Sequence, residues 1–409
     1  MPGELDRDLD RDLAGPLEDD LNLDLTAVAN VVERQRAEGL HDCAQLYVSL
    51  HGRPVLDLAI GESLPGRALR TDDVMLWYSS GKPLTAMAVL QLWERDLLAL
   101  DDPVGRFLPG WGNGKERATL RHVLTHTGGF PMYGDPGFDR DIPAGEALER
   151  VVAAPAAWDP GTKAGYHPLS GWKALGAVVE AVDGRPIAQY LHDEVLTPLG
   201  CTESSLGVPV ERQAELGDRL VPVVWKGHMF PQVDDDGGLR MVPYRIDEIH
   251  NQPWHVAKVE PGASMRGPAR ELGRVYESLL GYHPAVPALL ELRTVELMGA
   301  VHRIGLKDAL FGYEAPWGLG VAVAMTGGAG RRAFGHGGMA SSRGLCDPDL
   351  GLVMVLVCNG LPNPLAAEAR LAEVTDTLYT ALSAESALGD DAARVRLPYS
   401  PGRATLLAT

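Results

Sequence analysis

Beyond its first two dozen residues the chain carries hydrophobic patterns of two periods. Leu25, Val28, Val31 and Val32 recur at helical spacing and predict a helix that starts on an Asp24 cap and ends near Gly39. Ala44 to Leu50 and Pro54 to Ile60 are apolar-rich runs joined by His51-Gly52-Arg53, a short Gly-containing connection that predicts a hairpin. Leu84, Met87, Ala88, Val89, Leu90 and Leu92 are apolar nearly all round, so residues 80 to 97 read as a largely buried helix. A short helix follows over Thr119 to Thr125, and another over Lys173 to Val182, within a long stretch of helix and loop rich in Pro and Gly. Strand character returns at Gly318 to Met325, Arg332 to Gly338 and Leu352 to Cys358, the last run preceded by the turn signal Asp347-Pro348-Asp349-Leu350-Gly351. A periodic helix over Leu365 to Leu382 closes the pattern.

Strands at both ends of the chain and helices between them predict an α+β fold, an α/β sandwich. Its antiparallel sheet is built from N- and C-terminal segments, flanked by the first and last helices, and carries a mostly helical insert. The predicted domain is 24–385, with the α/β part at about 24–110 and 300–385 and the insert at about 111–299. A cleft is expected between the two parts. Residues 1–23, where Leu alternates with Asp and Arg, and residues 386–409 are expected to be loose tails.

Composition narrows the function classes. The chain has 409 residues, 45% hydrophobic, enough for a sizeable core, and a formal net charge of −18 with no basic cluster, which argues against nucleic-acid or anionic-membrane partners. Cys43, Cys201, Cys346 and Cys358 lie far apart with no C-x-x-C spacing, and are read as buried small hydrophobes. No apolar run reaches the length of a membrane span, and the N-terminus lacks the pattern of a secretory signal, so the expected location is cytoplasmic. His122 and His126 have the spacing of a zinc helix but lack the glutamate of H-E-x-x-H, and a structural role is expected. The acidic turn Asp234-Asp235-Asp236 has too few ligands at set spacing for an EF-hand. Neither G-x-S-x-G nor a Walker A sequence occurs.

The candidate chemistry sits in Tyr78-Ser79-Ser80-Gly81-Lys82-Pro83. Proline is tolerated only in the first turn of a helix, so Pro83 places the N-cap at about Ser79, and on that geometry Ser79 and Lys82, at i and i+3, face each other. A serine hydroxyl becomes a nucleophile when a base takes its proton, and a lysine is that base when its amine is neutral. Burial and the positive end of a helix both disfavour the ammonium form. Ser-x-x-Lys recurs as Ser170-Gly171-Trp172-Lys173, which is expected to be a structural coincidence at a helix start.

Three further stretches follow in order: Leu120-Arg121-His122-Val123-Leu124-Thr125-His126-Thr127-Gly128-Gly129, Pro160-Gly161-Thr162-Lys163-Ala164-Gly165-Tyr166, and Phe334-Gly335-His336-Gly337-Gly338. Together with Ser79-x-x-Lys82 they resemble the serine β-lactamase, penicillin-binding protein and family VIII carboxylesterase superfamily, especially its class C-like branch, over about residues 40 to 385. The resemblance implies Ser79 as the acylated serine, Lys82 as the acceptor of its proton, and Tyr166 as the proton shuttle to the leaving group. It also implies a substrate-binding strand at His336, Gly337 and Gly338, and an oxyanion hole from the backbone N–H groups of Ser79 and Met339. No cofactor or metal is implied.

Two departures from the family pattern tilt the expected substrate. Pro168 stands where an asparagine or serine usually follows Tyr-x, and His336 stands in place of a lysine that binds a substrate carboxylate. Both favour an ester, or an acyl group without a carboxylate, over a β-lactam. His167 is expected to reach the cleft. Trp158, Trp172, Trp254 and Trp317, with Tyr133 and Phe130, are candidates for an apolar acyl or alcohol pocket. The expected activity is ester hydrolysis or transacylation on a small-molecule acyl donor, with water, an alcohol or an amine as acceptor. An amide-cleaving relative and a non-catalytic binding protein on the same scaffold stay open.

Overall fold

The computed structural model describes residues 23–130, 144–233, 239–281, 286–325 and 330–384. Tyr133, the Asp234–Asp236 turn and nearly all of both predicted tails lie outside the described residues.

A seven-stranded antiparallel sheet organises the molecule. Its strands are β1 (Cys43–Leu50), β2 (Arg53–Leu64), β3 (Arg67–Ala68), β4 (Ala322–Val323), β5 (Phe334–Gly338), β6 (Ser342–Asp347) and β7 (Leu352–Cys358), in the order β4-β5-β6-β7-β1-β2-β3. The chain's first and last strand groups therefore meet at β1 and β7, where Leu46 stands opposite Leu356. Successive side chains of a strand point to opposite faces, and both faces here are apolar. Ala44, Leu46, Val48 and Leu50 of β1, with Leu352, Met354 and Leu356 of β7, pack against Val28 and Val32 of α1 (Thr26–Ala37) and Leu371, Val374 and Leu378 of α5 (Pro364–Ala384). On the opposite face Tyr47, Val353, Val355 and Val357 join the larger core formed with α2 (Lys82–Glu94), α3 (Ser170–Asp183) and α4 (Ala269–Leu280). The predicted α+β sandwich is the observed architecture. All four cysteines are buried and unbridged, and among the described residues no helix is long and apolar enough to cross a membrane.

Three local expectations are corrected. Of the predicted strand Gly318 to Met325 only Ala322–Val323 pairs. β6 was not expected, because Ser341-Ser342-Arg343-Gly344 shows no apolar alternation. It is buried throughout, and polar groups at both its ends find partners distant in sequence: Ser342 Oγ donates to Trp77 O at 2.6 Å, and Asp347 accepts from Tyr379 Oη at 2.9 Å. The predicted helix over 80 to 97 is shorter, and a 3-10 turn over Tyr78–Gly81 leads into α2, whose N-cap is Gly81 rather than Ser79.

Candidate active site

The 3-10 turn strengthens the pairing that the sequence suggested. In 3-10 geometry residues i and i+3 eclipse one another, and the turn is closed by the Lys82 N–H donating to Ser79 O. Ser79 and Lys82 therefore stack directly, with Pro83 in the first turn of α2, where its missing N–H costs nothing. Entry into the turn forces Tyr78 to a φ of 51°, left-handed for a bulky residue and of order 1–3 kcal/mol in strain. Neighbours hold it there: the Tyr78 hydroxyl lies 3.0 Å from His250 Nδ1, and Trp77 is tied by its N–H to Met265 O at 2.9 Å.

Around the Ser79 hydroxyl two side chains converge. Lys82 Nζ lies 2.8 Å from Ser79 Oγ, and Tyr166 Oη donates to the same oxygen at 3.0 Å. Lys82 is fully buried, and its Nζ also donates to the carbonyls of Pro168 at 2.8 Å and Gly262 at 2.5 Å. A neutral amine has two N–H bonds and one lone pair. With both N–H bonds given to the two carbonyls, the lone pair faces Ser79 Oγ, the orientation a base needs. Burial pushes the Tyr166 phenol above its ordinary range despite its bond to Ser79, so the phenol stays protonated at neutral pH. Ser79 itself is 9% exposed.

β5 forms the opposite wall. The Ser80 hydroxyl lies 2.9 Å from both His336 O and Ser342 Oγ, and Ser342 Oγ in turn donates to Trp77 O. The nucleophile turn is thus tied to β5 and β6 by a buried hydroxyl pair. At Gly338 the approach is closest: a Cβ there would lie 2.3 Å from Trp77 O and 3.0 Å from Tyr78 Cβ. Gly337 has open space on its side-chain face, with nothing nearer than Ser342 O at 3.9 Å. His336 is buried between Tyr166 and Trp317, with ring centroids 5.9 and 5.5 Å away. Its Nδ1 lies 2.6 Å from Gly337 O, a contact only an N–H can satisfy, which leaves Nε2 as a bare acceptor. Burial pushes this imidazole down to about 3, so His336 carries no positive charge at neutral pH. Met339 follows the strand in a turn and packs partly buried against the Tyr78 cluster.

Comparison with known proteins shows the family. The family model described as Beta-lactamase matches residues 28–378. The chain belongs to the Beta-lactamase family. Within the family it is similar to esterase EstB of Burkholderia gladioli, 28% identical over 370 residues that cover 79% of this chain and 88% of that one. It is also similar to esterase/beta-lactamase LipL of Mycobacterium tuberculosis, 27% identical and covering 78% of this chain and 77% of the relative. Among solved structures, a penicillin-binding protein homologue from Caulobacter crescentus superposes with a TM-score of 0.72 at 24% identity, covering 87% of this chain and 97% of that one.

The remaining expected site residues are distributed around this β-lactamase-like centre. Trp317 is buried beside Tyr166, 5.9 Å between ring centroids, and 4.9 Å from His126. His167 is fully buried: its ring packs tilted against His126 at 4.2 Å and edge-on to Phe130 at 5.1 Å and fills the space above Gly171 of α3. That packing places it in the interior behind Tyr166 and not on a cleft wall. Trp172 lies beneath Lys82, 5.3 Å from Nζ, and is fully buried, whereas Trp254 is 48% exposed on the surface. Trp158 covers Gly165, just ahead of Tyr166. His122 closes a capping box with Thr119 at the start of the Leu120–Leu124 helix.

Sequence reasoning missed several residues of this candidate site. Pro168 was read only for the asparagine or serine it replaces, yet its carbonyl supplies a bond to Lys82 Nζ. Backbone carbonyls carry no sequence signal, and Gly262 went unread for the same reason. Asp308 accepts from the backbone N–H groups of Tyr166, Leu310 and Phe311 and from Arg303 at 2.9 Å, both side chains of that pair being 0% exposed. An aspartate five residues beyond an arginine is unremarkable in sequence. Phe311 lies 5.6 Å from Tyr166 and stacks on Tyr313, which is 52% exposed, so aromatic surface runs outward from Tyr166.

Proposed function

We propose that the protein is a serine ester hydrolase or acyltransferase that works through an acyl-Ser79 intermediate. The observation that carries this reading is the convergence of Lys82 Nζ and Tyr166 Oη on one serine oxygen, at 2.8 and 3.0 Å. Neutral Lys82 takes the Ser79 proton as Oγ attacks the ester carbonyl. The tetrahedral oxygen forms against the N–H groups of Ser79 and Met339, at the positive end of α2. Collapse of the intermediate breaks the ester C–O bond. Tyr166 gives its proton to the leaving alkoxide and recovers one from the Lys82 ammonium. Water or an acceptor alcohol then attacks the acyl-serine, its proton passing back by the same groups, and free Ser79 is restored.

The acyl group that suits this site is neutral and apolar. A β-lactam's carboxylate needs a cation at the third motif, and His336 supplies a neutral imidazole whose N–H is already committed to Gly337 O. The aromatic surface of Phe311 and Tyr313 beside Tyr166 favours apolar acyl or alcohol groups. The similarity to esterase EstB over 79% of this chain supports an ester substrate, whereas LipL, an esterase/beta-lactamase, fits either substrate. A p-nitrophenyl ester series measured beside nitrocefin tests this reading. Ester turnover exceeding nitrocefin turnover by at least about 100-fold, some 2.7 kcal/mol in transition-state preference, is expected. Nitrocefin turnover rivalling that of the esters would transfer the protein to the amide-cleaving branch.

A further inference from the structure

The second Ser-x-x-Lys stretch takes no part in the acyl-transfer scheme, yet its lysine is buried beneath the site. Lys173 Nζ meets Glu260 Oε2 at 2.5 Å, with side chains only 7% and 5% exposed. These two residues lie on the two backbone segments that hold Lys82. Lys173 belongs to the first turn of α3, its N–H donating to Leu169 O at 2.9 Å, and Leu169 adjoins Pro168, whose carbonyl receives one Lys82 N–H. Glu260 opens the loop that presents Gly262 O to the other. That loop is folded tightly on itself: Ala263 and Ser264 N–H donate to Glu260 O at 2.9 and 3.0 Å, and Glu260 N–H donates to Ser264 Oγ at 2.8 Å. The segments touch at Gly262, where a Cβ would lie 2.7 Å from Pro168 O and 3.0 Å from Trp172 Cβ.

We propose that the Lys173–Glu260 ion pair is a clamp that positions the catalytic lysine, setting the Pro168 and Gly262 carbonyls at the spacing that turns the Lys82 lone pair toward Ser79. The proposal rests on the reading of Lys82 as the base. Two carbonyls fix rotation about the Cε–Nζ bond only when both stay in place, and apolar packing tolerates small slips that a short buried ion pair does not. An ion pair out of water adds little net stability over an apolar pair of similar volume, so its contribution here lies in geometry. Lys173 and Glu260 are positioning residues, since neither reaches the substrate.

The experiment compares the wild type with Glu260→Gln, Lys173→Met and the charge-preserving Lys173→Arg. The readouts are the acylation burst with p-nitrophenyl acetate, KM, the pH profile of kcat/KM, and thermal melts with circular dichroism. Glu260→Gln and Lys173→Met are expected to slow acylation by about 10- to 100-fold, the scale of a misplacement near 1 Å, with KM little changed and the acid limb of the pH profile displaced. Lys173→Arg is expected to recover much of the loss, and it keeps the test alive if the other two variants do not fold. Wild-type acylation rates and an unmoved pH profile in the folded variants, with only the melting temperature lowered, would overturn the clamp. A wild type that forms no acyl-Ser79 would overturn the site assignment itself, and the clamp with it.

Discussion

Gly338→Ala isolates the packing that seats the nucleophile. The added methyl would lie 2.3 Å from Trp77 O, 2.2 Å from Ser342 Oγ and 3.0 Å from Tyr78 Cβ, where real contacts of this kind do not fall below 3.0 Å. Ser342 Oγ can rotate away only by giving up its bond to Trp77 O. The backbone of Trp77 and Tyr78 must therefore retreat from β5 by at least 3.0 − 2.3 = 0.7 Å. Tyr78 is already held in the left-handed region, and Ser79 moves with it. Overpacking of this size costs about 1–3 kcal/mol of stability. A shift of that order at the reacting atom lowers kcat by roughly 10- to 100-fold. Steady-state kinetics on a p-nitrophenyl ester, paired with thermal melts, reads both effects. Gly145→Ala, at an exposed helix position with nothing within 4 Å, serves as the control and should leave kcat unchanged. A Gly338→Ala enzyme with wild-type kcat would refute the claim that β5 sets the position of Ser79.

Other perturbations follow from the same geometry. Tyr166→Phe removes the hydroxyl on Ser79 Oγ and should cut kcat by about 10²- to 10⁴-fold while leaving the melting temperature nearly unchanged. Asp308→Asn breaks a fully buried pair with Arg303, so a loss of about 3–5 kcal/mol is expected in denaturant unfolding, with reduced kcat because the Tyr166 backbone loses its anchor. His41, buried beside Arg370, is pushed down to about 3, first by burial and then by that cation. The unfolded chain therefore binds a proton near pH 6.5 that the folded chain refuses, and stability present above pH 6.5 is lost as pH falls toward 3. Melts from pH 7 to 4 should show His41→Gln losing less stability than wild type, by up to about 1.4 kcal/mol per pH unit.

What was legible in the sequence was what has a local signature. The apolar periods of α1, α2, β1, β7 and α5 were readable because each buries a face or all of itself, and Ser79, Lys82 and Tyr166 stood in motifs whose order was intact. β6 was hidden because its buried Ser342, Arg343 and Asp347 bond to Trp77 O, Glu368 and Tyr379, partners no window of sequence contains. The start of α2 was misplaced by a few residues because a proline fits more than one position of a first turn: Pro83 is the second residue of α2, and Ser79 lies in the 3-10 turn before it. His167 was expected in the cleft from its place beside Tyr166, but the backbone there hands its side chain to the interior, over Gly171. The carbonyls that orient Lys82 were invisible for a simpler reason, since any residue type can supply them.

The most direct measurement is intact-mass spectrometry, with peptide mapping, of the wild type and Ser79→Ala after exposure to a fluorophosphonate and to p-nitrophenyl acyl esters. A single adduct on the peptide containing Ser79, absent from the variant, is the predicted result. No adduct on the wild type, or one mapping to Ser170 or elsewhere, would contradict the assignment of Ser79 as the acylated nucleophile.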